Sequence, residues 1–312
     1  MLKSFFENII YKYTNYFSRF INLKSYEDKE LILLAKNFMS TFEWNSKPNF
    51  NNSKWIQSKE FKVYSQFGDD GIIQWLIKNL DIKSRNFIEF GVGDFYESNS
   101  HFLLINNNWN GFVIDSSEKN ISRIQNSEMH WKYNLFAKKA FIKKDNINSL
   151  LALSDFKDLG YLHIDLDGND YWILDSLNLE LYSPDILILE YNAIFGDKDK
   201  ISIPYDSNFY RMNSHYSGKY WGASLQALNY LAEQKGYYFI GCNSAGNNAY
   251  FLNNKHMLNI PKTNIIVGFQ EAKFKEARNE KGELSYLNNL EVKRQLEKLP
   301  VVDVVTNEKK IL

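Results

Sequence analysis

The chain has 312 residues, of which 44% are apolar, so it can build a core of its own and is not a disordered chain. Its 37 Lys and Arg residues balance 37 Asp and Glu residues, which excludes a strongly basic nucleic-acid-binding protein. The single cysteine, Cys242, excludes an intrachain disulfide and a thiolate metal cluster, and it favours the cytoplasm.

Residues 1–60 predict a helical N-terminal extension. The first 24 residues are amphipathic and basic, which suits either peripheral contact with the inner face of a membrane or packing on the domain, and packing is favoured. They lack the apolar core and cleavage site of a signal peptide. No run of 18 apolar residues occurs, so no membrane-spanning helix is expected.

Residues 61–260 alternate short apolar runs with helix-sized segments, which predicts a parallel sheet with right-handed crossovers. Helices are expected at Asp69–Leu80, Asn99–Asn107 and Tyr220–Lys235. Strands are expected at Asn86–Val92, Gly111–Asp115, Ala140–Lys143, Tyr161–Asp165 and Asp185–Tyr191.

Two further strands, Tyr237–Cys242 and Asn248–Leu252, are joined by a link too short for a crossover and should pair antiparallel. The fold class is therefore α/β: a mostly parallel seven-stranded, Rossmann-like sheet with an antiparallel last strand, as in class I methyltransferases. Residues 261–312 are charged and contain EVKRQLEKL, which predicts a helical C-terminal cap.

The end of the first strand carries a candidate cofactor site. Gly91 and Gly93 allow backbone to approach a ligand, and the acidic Glu89 precedes them. Asp115 ends the second strand 22 residues after Gly93, where a ribose diol would bind. The alternative is that the glycines form only a tight turn and Asp115 only caps a helix. Phe95 occupies the third glycine position of the usual pattern, which disfavours NAD.

The third strand is followed by Lys144-Asp145-Asn146-Ile147, in which Asp145 and Asn146 are candidate adenine contacts. Together with the preceding residues they favour a nucleoside cofactor over three unrelated polar turns.

The fourth strand ends in the acidic segment His163–Trp172 (HIDLDGNDYW). Asp165, Asp167 and Asp170 would repel one another unless protons or a cation compensate. With Glu190 they form a candidate site for Mg²⁺ or another divalent cation. Alternatively, Asp165 and Asp170 only cap a helix. Asp167 is the preferred general base, and Asp170 is the next candidate.

The segment 192–219 is a long connection without clear periodicity, which is typical of a lid. Tyr205, Asp206, Arg211, His215 and Tyr216 are candidates for binding a polyhydroxylated or charged acceptor, and His215 is a second base candidate. The alternative is an ordinary surface loop.

With these motifs in view, the chain resembles the FkbM-like methyltransferases, especially an uncharacterised branch associated with bacterial surface-glycan genes. The matching stretches are YSQFGDDG, FIEFGVGDFYESNS, KKDNINSLL, HIDLDGNDYWIL, ILEYNAIFG, IPYD and WGASLQALNYLAEQKGYYFIGCNSAGNNAYFL. Many FkbM-type sequences read DVEG where this chain reads DLDG, so Asp167 stands in place of their glutamate.

The resemblance implies S-adenosylmethionine as cofactor and O-methylation of a sugar or glycan acceptor in polysaccharide biosynthesis. The candidate cofactor-binding residues are Gln66, Glu89, Gly91, Gly93, Asn99, Asp115, Asp145, Asn146 and Asp165. The alternatives are a nucleotide-cofactor sugar-modifying enzyme, such as an epimerase, and a non-catalytic scaffold in glycan assembly. No nucleic-acid partner is expected, and the oligomeric state is left open.

Overall fold

The computed structural model describes Tyr13 and residues 26–312. The chain divides into two compact units, with the boundary between Lys47 and Pro48. In the first unit, residues 26–40 form helix α1 and Phe42–Asn45 form α2, which Thr41 caps by accepting a hydrogen bond from the Trp44 N–H group. Most of the basic amphipathic stretch at the start of the chain lies outside the described residues.

The second unit is built on strands that form two sheets. The strands are β1 (Asn86–Phe90), β2 (Asn110–Asp115), β3 (Leu135–Lys139), β4 (Tyr161–Ile164), β5 (Ile186–Glu190), β6 (Ile201–Ser202), β7 (Tyr237–Cys242), β8 (Asn248–Asn253), β9 (Pro300–Asp303) and β10 (Lys309–Ile311).

The main sheet has seven strands in the order β3-β2-β1-β4-β5-β8-β7. Strands β1 to β5 are mutually parallel, whereas β8 pairs antiparallel with both β5 and β7. This topology confirms the predicted Rossmann-like methyltransferase fold. The carboxyl ends of β1, β2 and β4 lie at one edge of the sheet, where ligands bind in such folds.

Polar side chains cap several of the helices in this unit. The helices are α3 (Asp69–Asn79), α4 (His101–Asn107), α5 (Glu118–Gln125), α6 (Glu128–Lys132), α7 (Ile147–Ala152), α8 (Asp170–Ser176), α9 (Arg211–Ser214), α10 (Leu225–Gln234), α11 (Ile265–Gly268) and α12 (Asn289–Leu296). Short 3-10 turns lie at Ile56–Lys59, Ala193–Phe195 and Asn254–His256. Ser117 caps α5, Ser224 caps α10, and Asn288 forms a capping box with Glu291 at α12. Among the described residues, no helix is long and apolar enough to cross a bilayer.

The third strand lies five residues before the predicted one. Leu135 and Ala137 are buried while Phe136 and Lys138 are exposed, the alternation of a half-buried edge strand. The run Ala140–Lys143, predicted as strand, is instead the loop that follows. The prediction was wrong because a loop that lines a cavity can be as apolar as a buried strand.

The segment 261–312 contains α11 and α12, and it also contains strands, which its charged pattern did not indicate. Strand β9 pairs with β10 and with β6, so the three-stranded sheet joins this segment to the connection after β5. Val301 is fully buried in the small core of this sheet. A short apolar pair inside a charged sequence is sufficient for such a strand, which periodicity over longer windows misses.

The two faces of the main sheet differ in chemistry. One face carries apolar side chains such as Ile88, Leu162 and Leu187, packed in the main core with residues of α7, α8 and α10. The other face carries Glu89 on β1 and His163 on β4, which are directly paired in register. The fold therefore places titratable groups beneath the edge of the sheet where the strands end.

Candidate active site

The carboxyl ends of the parallel strands open into a cavity of about 480 Å³. Its lining residues fall into two groups by their place in the fold. The ends of β1 and β2 and the loop after β3 contribute the candidate cofactor half: Gly91, Gly93, Asp115, Phe141 and Ile142. The segment after β4, the connection after β5 and the C-terminal segment contribute the candidate acceptor half: Asp165, Asp167, Asn169, Arg211, Glu276 and Arg278. Four of the nine candidate cofactor residues, Gly91, Gly93, Asp115 and Asp165, thus line one cavity. Its first half has the glycine turn and the carboxylate predicted for a nucleoside cofactor.

The turn after β1 has left-handed backbone at both glycines, with φ of +73° at Gly91 and +56° at Gly93. The Gly93 N–H group donates to Oδ2 of Asp115 over 2.9 Å, which ties the end of β1 to the end of β2. A side chain at Gly93 would meet no atom within 4 Å, so this position faces open space. At Gly93 the backbone is therefore open to the close approach of a ligand.

Asp115 holds the start of α5 and also lines the cavity. Its Oδ1 atom accepts hydrogen bonds from the Ser117 N–H group (2.7 Å) and the Asn120 side chain (3.1 Å) at the start of α5. Its Oδ2 atom accepts the Gly93 N–H group and has a second lone pair. Asp115 is therefore a fixed carboxylate at the cavity wall, and a ribose hydroxyl can donate to the remaining lone pair.

Glu89 lies beneath the cavity, outside the residues that line it. Its carboxylate accepts hydrogen bonds from the Ser98 and Ser100 hydroxyls, the N–H groups of Asn99 and Ser100, and Nδ1 of His163 at 3.0 Å. Burial alone would raise the pKa of Glu89, but His163 and the hydroxyl donors lower it below the ordinary value. Burial opposes charge on His163 too, yet Glu89 raises its pKa. Glu89 and Asn99 thus order the loop below the cofactor half of the cavity.

Asp145 and Asn146, predicted as adenine contacts, do not line this cavity. Asp145 is exposed, and the Asn146 side chain accepts from the Lys143 N–H group (2.8 Å) and donates to the Phe141 carbonyl (2.9 Å). Asn146 therefore shapes the turn that places Phe141 and Ile142 at the cavity wall. Sequence reasoning missed these two because their apolar run was assigned to a strand.

Gln66, another predicted cofactor contact, is exposed and also lies outside the cavity lining. Asp70, in the same stretch (YSQFGDDG), has a structural role instead. Its Oδ2 atom accepts the N–H groups of Val63, Tyr64 and Ser65 at 2.7 to 2.8 Å, which folds the loop before α3.

Three carboxylates converge in the other half of the site. Asp165, Asp167 and Glu190 each offer an oxygen within 4.8 Å of the others. Burial and the charge of Asp167 raise the pKa of Asp165 to about 6, although Glu190 donates a hydrogen bond to it. Burial and Asp165 raise the pKa of Glu190 well above its usual range. The pKa values of both carboxyl groups are thus raised, because burial and their mutual repulsion oppose two negative charges at this place.

Asp170 does not belong to this cluster, which corrects its prediction as a base and metal ligand. Its Oδ1 atom accepts the Leu166 N–H group (2.7 Å) and its Oδ2 atom accepts the Gly168 N–H group (3.0 Å). The side chain is fully buried at the start of α8. Asp170 closes the turn that presents Asp167, which has a left-handed φ of +53° and an exposed side chain.

Arg211, at the start of α9, connects the acidic turn to the C-terminal segment. Its Nη1 atom lies 2.5 Å from Oδ1 of Asp167, and its Nη2 atom donates to Glu276. Lys219 also donates to Glu276, over 2.6 Å. Burial would raise the pKa of Glu276, but the charges of Arg211 and Lys219 lower it below the ordinary value. These residues form one chain of alternating charge along the cavity wall.

Of the residues named from the sequence in the segment 192–219, Arg211 lines the cavity, whereas Tyr205, Asp206, His215 and Tyr216 do not. The segment also contributes Phe209, Tyr210, Met212, Ser217 and Gly218. The Tyr205 hydroxyl accepts from the Lys144 N–H group, and the Asp206 carbonyl accepts from Asn169. His215 lies 2.8 Å from the Ser217 hydroxyl and packs against Tyr216. Partial burial lowers the pKa of His215, and its ring lies outside the cavity lining. The structure therefore does not bring His215, predicted as a second base, into the cavity with Asp167.

Sequence reasoning also missed Glu276 and Arg278, which line the cavity from the C-terminal segment. Arg278 reaches the site because its N–H group donates to the Ser217 carbonyl over 3.1 Å. No local pattern signals these residues, since their position depends on a long-range contact with the segment 192–219.

No family model matches the sequence, and no curated protein matches it. Among solved structures, the chain is similar to the CurJ carbon methyltransferase (11% identity, TM-score 0.38, covering 63% of this chain and 56% of that one). It is also similar to an O-methyltransferase from Bacillus cereus in complex with SAH (13%, 0.35, 72% and 89%). A third is an S-adenosylmethionine-dependent methyltransferase from Clostridium acetobutylicum (11%, 0.39, 59% and 90%). At these identities and TM-scores, the assignment of site residues rests on the geometry described above.

Proposed function

We propose that this chain is an S-adenosylmethionine-dependent O-methyltransferase that acts on a sugar hydroxyl of a cell-surface glycan or its precursor. The observation that most strongly supports this proposal is that Gly91, Gly93 and Asp115 line the same cavity as Asp165 and Asp167. A cofactor held by the first group would direct its methyl group towards the second, because the cavity runs continuously along the ends of β2, β1 and β4.

The cofactor half suits a nucleoside. Asp115 has a lone pair for a ribose hydroxyl, and the Gly91–Gly93 turn lets the amino-acid moiety approach backbone. Phe141, whose side chain is 44% exposed, and Ile142 offer an apolar wall to the adenine ring. This arrangement replaces the predicted adenine contacts at Asp145 and Asn146.

Methyl transfer from a sulfonium requires mainly that the acceptor oxygen, the methyl carbon and the sulfur are held in line, and that the hydroxyl proton has an acceptor. In this proposal Asp167, which is exposed and paired with Arg211, orients the hydroxyl. Asp165 takes the proton in place of Asp167, the base predicted from the sequence, because burial and the charge of Asp167 raise its pKa to about 6, close to neutral pH. S-adenosylmethionine, held by Gly91, Gly93 and Asp115, would supply an electrophilic methyl group on a sulfonium leaving group, and a carboxylate of the site would accept the hydroxyl proton.

A sugar acceptor is supported by the composition of the acceptor half. Phe209 and Tyr210 offer aromatic faces, while Asn169, Arg211 and Glu276 offer planar hydrogen-bonding groups. Aromatic rings beside fixed donors and acceptors suit a molecule with both C–H faces and hydroxyl groups.

The donor set of Asp165, Asp167 and Glu190 also fits a hard divalent cation, because all three offer carboxylate oxygens. Such an ion, held by these residues, would acidify the acceptor hydroxyl.

Calorimetric titration with S-adenosylhomocysteine, with and without Mg²⁺, tests the cofactor assignment. We expect a dissociation constant of about 10 µM or below for the wild type and about tenfold weaker binding for Asp115→Asn, since a charge-assisted hydrogen bond is lost. Asp145→Asn is the matched control, because Asp145 is exposed and outside the cavity lining, and it should bind like the wild type.

Absence of binding by the folded wild-type protein in both conditions would refute the proposal. Equal weakening by Asp115→Asn and Asp145→Asn would show that the cofactor is not held at the carboxylate assigned here.

A further inference from the structure

We propose that Arg211 is the resident counter-cation of the acidic cluster formed by Asp165, Asp167 and Glu190, and that a divalent cation binds this cluster only by displacing Arg211 from Asp167. This inference goes beyond the proposed function, because it concerns competition between two cations and holds whether or not the acceptor is a sugar.

The position of Arg211 is the first argument. Its Nη1 atom lies 2.5 Å from Asp167 Oδ1, and Asp167 offers an oxygen within 4.8 Å of ligand oxygens of Asp165 and Glu190. The guanidinium group is therefore paired directly with one of the three carboxylates of the cluster. A metal ion bound to Asp167 would bring two positive charges next to it, which is strongly unfavourable at this distance.

The way Arg211 is held is the second argument. Its Nε atom donates to the Gly218 carbonyl over 2.7 Å, its Nη2 atom donates to Glu276, and its guanidinium carbon lies 5.0 Å from the Trp221 ring. Only 18% of the side chain is exposed. An arginine fixed by a carbonyl, a second carboxylate and an indole ring is pre-organised as a counter-charge, unlike a surface side chain that pairs in passing.

The buried end of the cluster is the third argument. Glu190 is 6% exposed, and its Oε2 atom has no hydrogen-bond partner among the described residues. A buried polar atom without a partner calls for one, and Glu190 belongs to the three carboxylates whose oxygens lie within 4.8 Å of one another, so a cation bound there could supply it. The structure thus combines three ligand oxygens for a cation with an internal group that competes for one of them.

Binding of Mn²⁺ to the full-length protein, measured from the loss of the free-ion electron paramagnetic resonance signal, tests the competition without an activity assay. We expect Arg211→Gln to bind Mn²⁺ at least about tenfold more tightly than the wild type, because a positive charge next to the ligands is removed. Arg294→Gln removes an exposed arginine of α12 and should leave the affinity unchanged.

Two further variants keep the test decisive. Arg211→Met retains an apolar stem over Trp221 and should show the same gain if the glutamine variant is unstable. Adding Asp167→Asn to Arg211→Gln should abolish the gain, since the contested ligand is lost. Unchanged or weaker Mn²⁺ binding by the folded Arg211 variants would overturn the proposal, as would a gain that persists without the Asp167 carboxylate.

The result is separable from the methyltransferase proposal. Titration of the same variants with S-adenosylhomocysteine reports on the cofactor half, which contains neither Arg211 nor Glu190. Loss of cofactor binding with a retained Mn²⁺ difference refutes only the proposed function, and the reverse result refutes only the competition.

Discussion

The backbone of Gly91 lies directly against the backbone carbonyl of Asp165. A Cβ atom on Gly91 would be 1.7 Å from that oxygen, far inside van der Waals contact. Gly91 follows β1 and Asp165 follows β4, which are neighbouring strands. This contact therefore links the cofactor half of the cavity to its acceptor half. Glycine is required at position 91 because a side chain would clash with the Asp165 carbonyl and because φ is +73°.

We expect Gly91→Ala to destabilise the fold severely, because the methyl group can be accommodated only if β1 or β4 moves. The loss should exceed about 3 kcal/mol in the free energy of unfolding, or appear as insoluble protein. Urea denaturation followed by circular dichroism measures it.

Gly93→Ala is the matched control, since it also has positive φ but no atom within 4 Å of a new Cβ. It should cost only the backbone strain of about 1–2 kcal/mol. Similar losses for the two substitutions would show that strain, and not the Asp165 carbonyl, dominates at Gly91.

Local patterns were sufficient to predict four of the five parallel strands and the glycine turn after β1, whereas β3 lies five residues before its predicted position. Ile88 and Leu162 are fully buried within short apolar runs, so the strands that contain them are evident from composition. Gly91 and Asp115 were identified because the chemistry of each follows from its place at a strand end. A strand that is buried on both faces carries the same signal in any context, which is why the sheet could be predicted from one sequence.

The acceptor half could not be predicted in the same way. Asp170 and Asp167 have the same chemistry and lie in one acidic segment, yet one binds backbone N–H groups inside the turn and the other faces the cavity. Glu276 reaches Arg211 across 65 residues of chain. Side-chain direction within a turn and contacts between distant segments are properties of the folded backbone, and residue type does not encode them locally.

Substitution of Asp170 and substitution of Asp167 should have different effects on stability. Asp170→Asn should lower the free energy of unfolding by about 1–3 kcal/mol, since an amide supplies one acceptor where two N–H groups need acceptors. Asp167→Asn should leave stability within about 0.5 kcal/mol, because this side chain is 56% exposed and its ion pair contributes little to folding.

Asp167→Asn, which should have little effect on stability, should have a large effect on activity. Asp167→Asn should reduce methyl transfer by about 100-fold or more while S-adenosylhomocysteine binding stays nearly unchanged. Transfer of labelled methyl groups to whichever free, nucleotide-linked or lipid-linked sugar the wild type methylates provides the assay. Wild-type turnover by Asp167→Asn would remove Asp167 from the reaction, and wild-type stability of Asp170→Asn would contradict its role in the turn.

The buried His101 should make stability depend on pH. Its ring is 4% exposed at the start of α4, stacks on Tyr64 with ring centroids 3.7 Å apart, and lies with Nδ1 3.1 Å from the Tyr96 carbonyl. Burial lowers the pKa of His101 from 6.5 to about 4, although the Tyr96 carbonyl and the charge of Glu89 favour the protonated form. The folded protein thus holds this imidazole neutral, whereas the unfolded chain takes up a proton below pH 6.5.

Because the unfolded state binds more protons between pH 6.5 and about 4, acidification through this window must destabilise the fold through His101. The contribution lost between pH 7 and pH 5 is about 2 kcal/mol. We expect His101→Gln, which can still donate to the Tyr96 carbonyl, to lose about 2 kcal/mol less than the wild type over this range in urea denaturation. His130→Gln, at an exposed histidine, should follow the wild-type profile. Parallel pH profiles for His101→Gln and the wild type would mean that the folded protein protonates His101 as readily as the unfolded chain does.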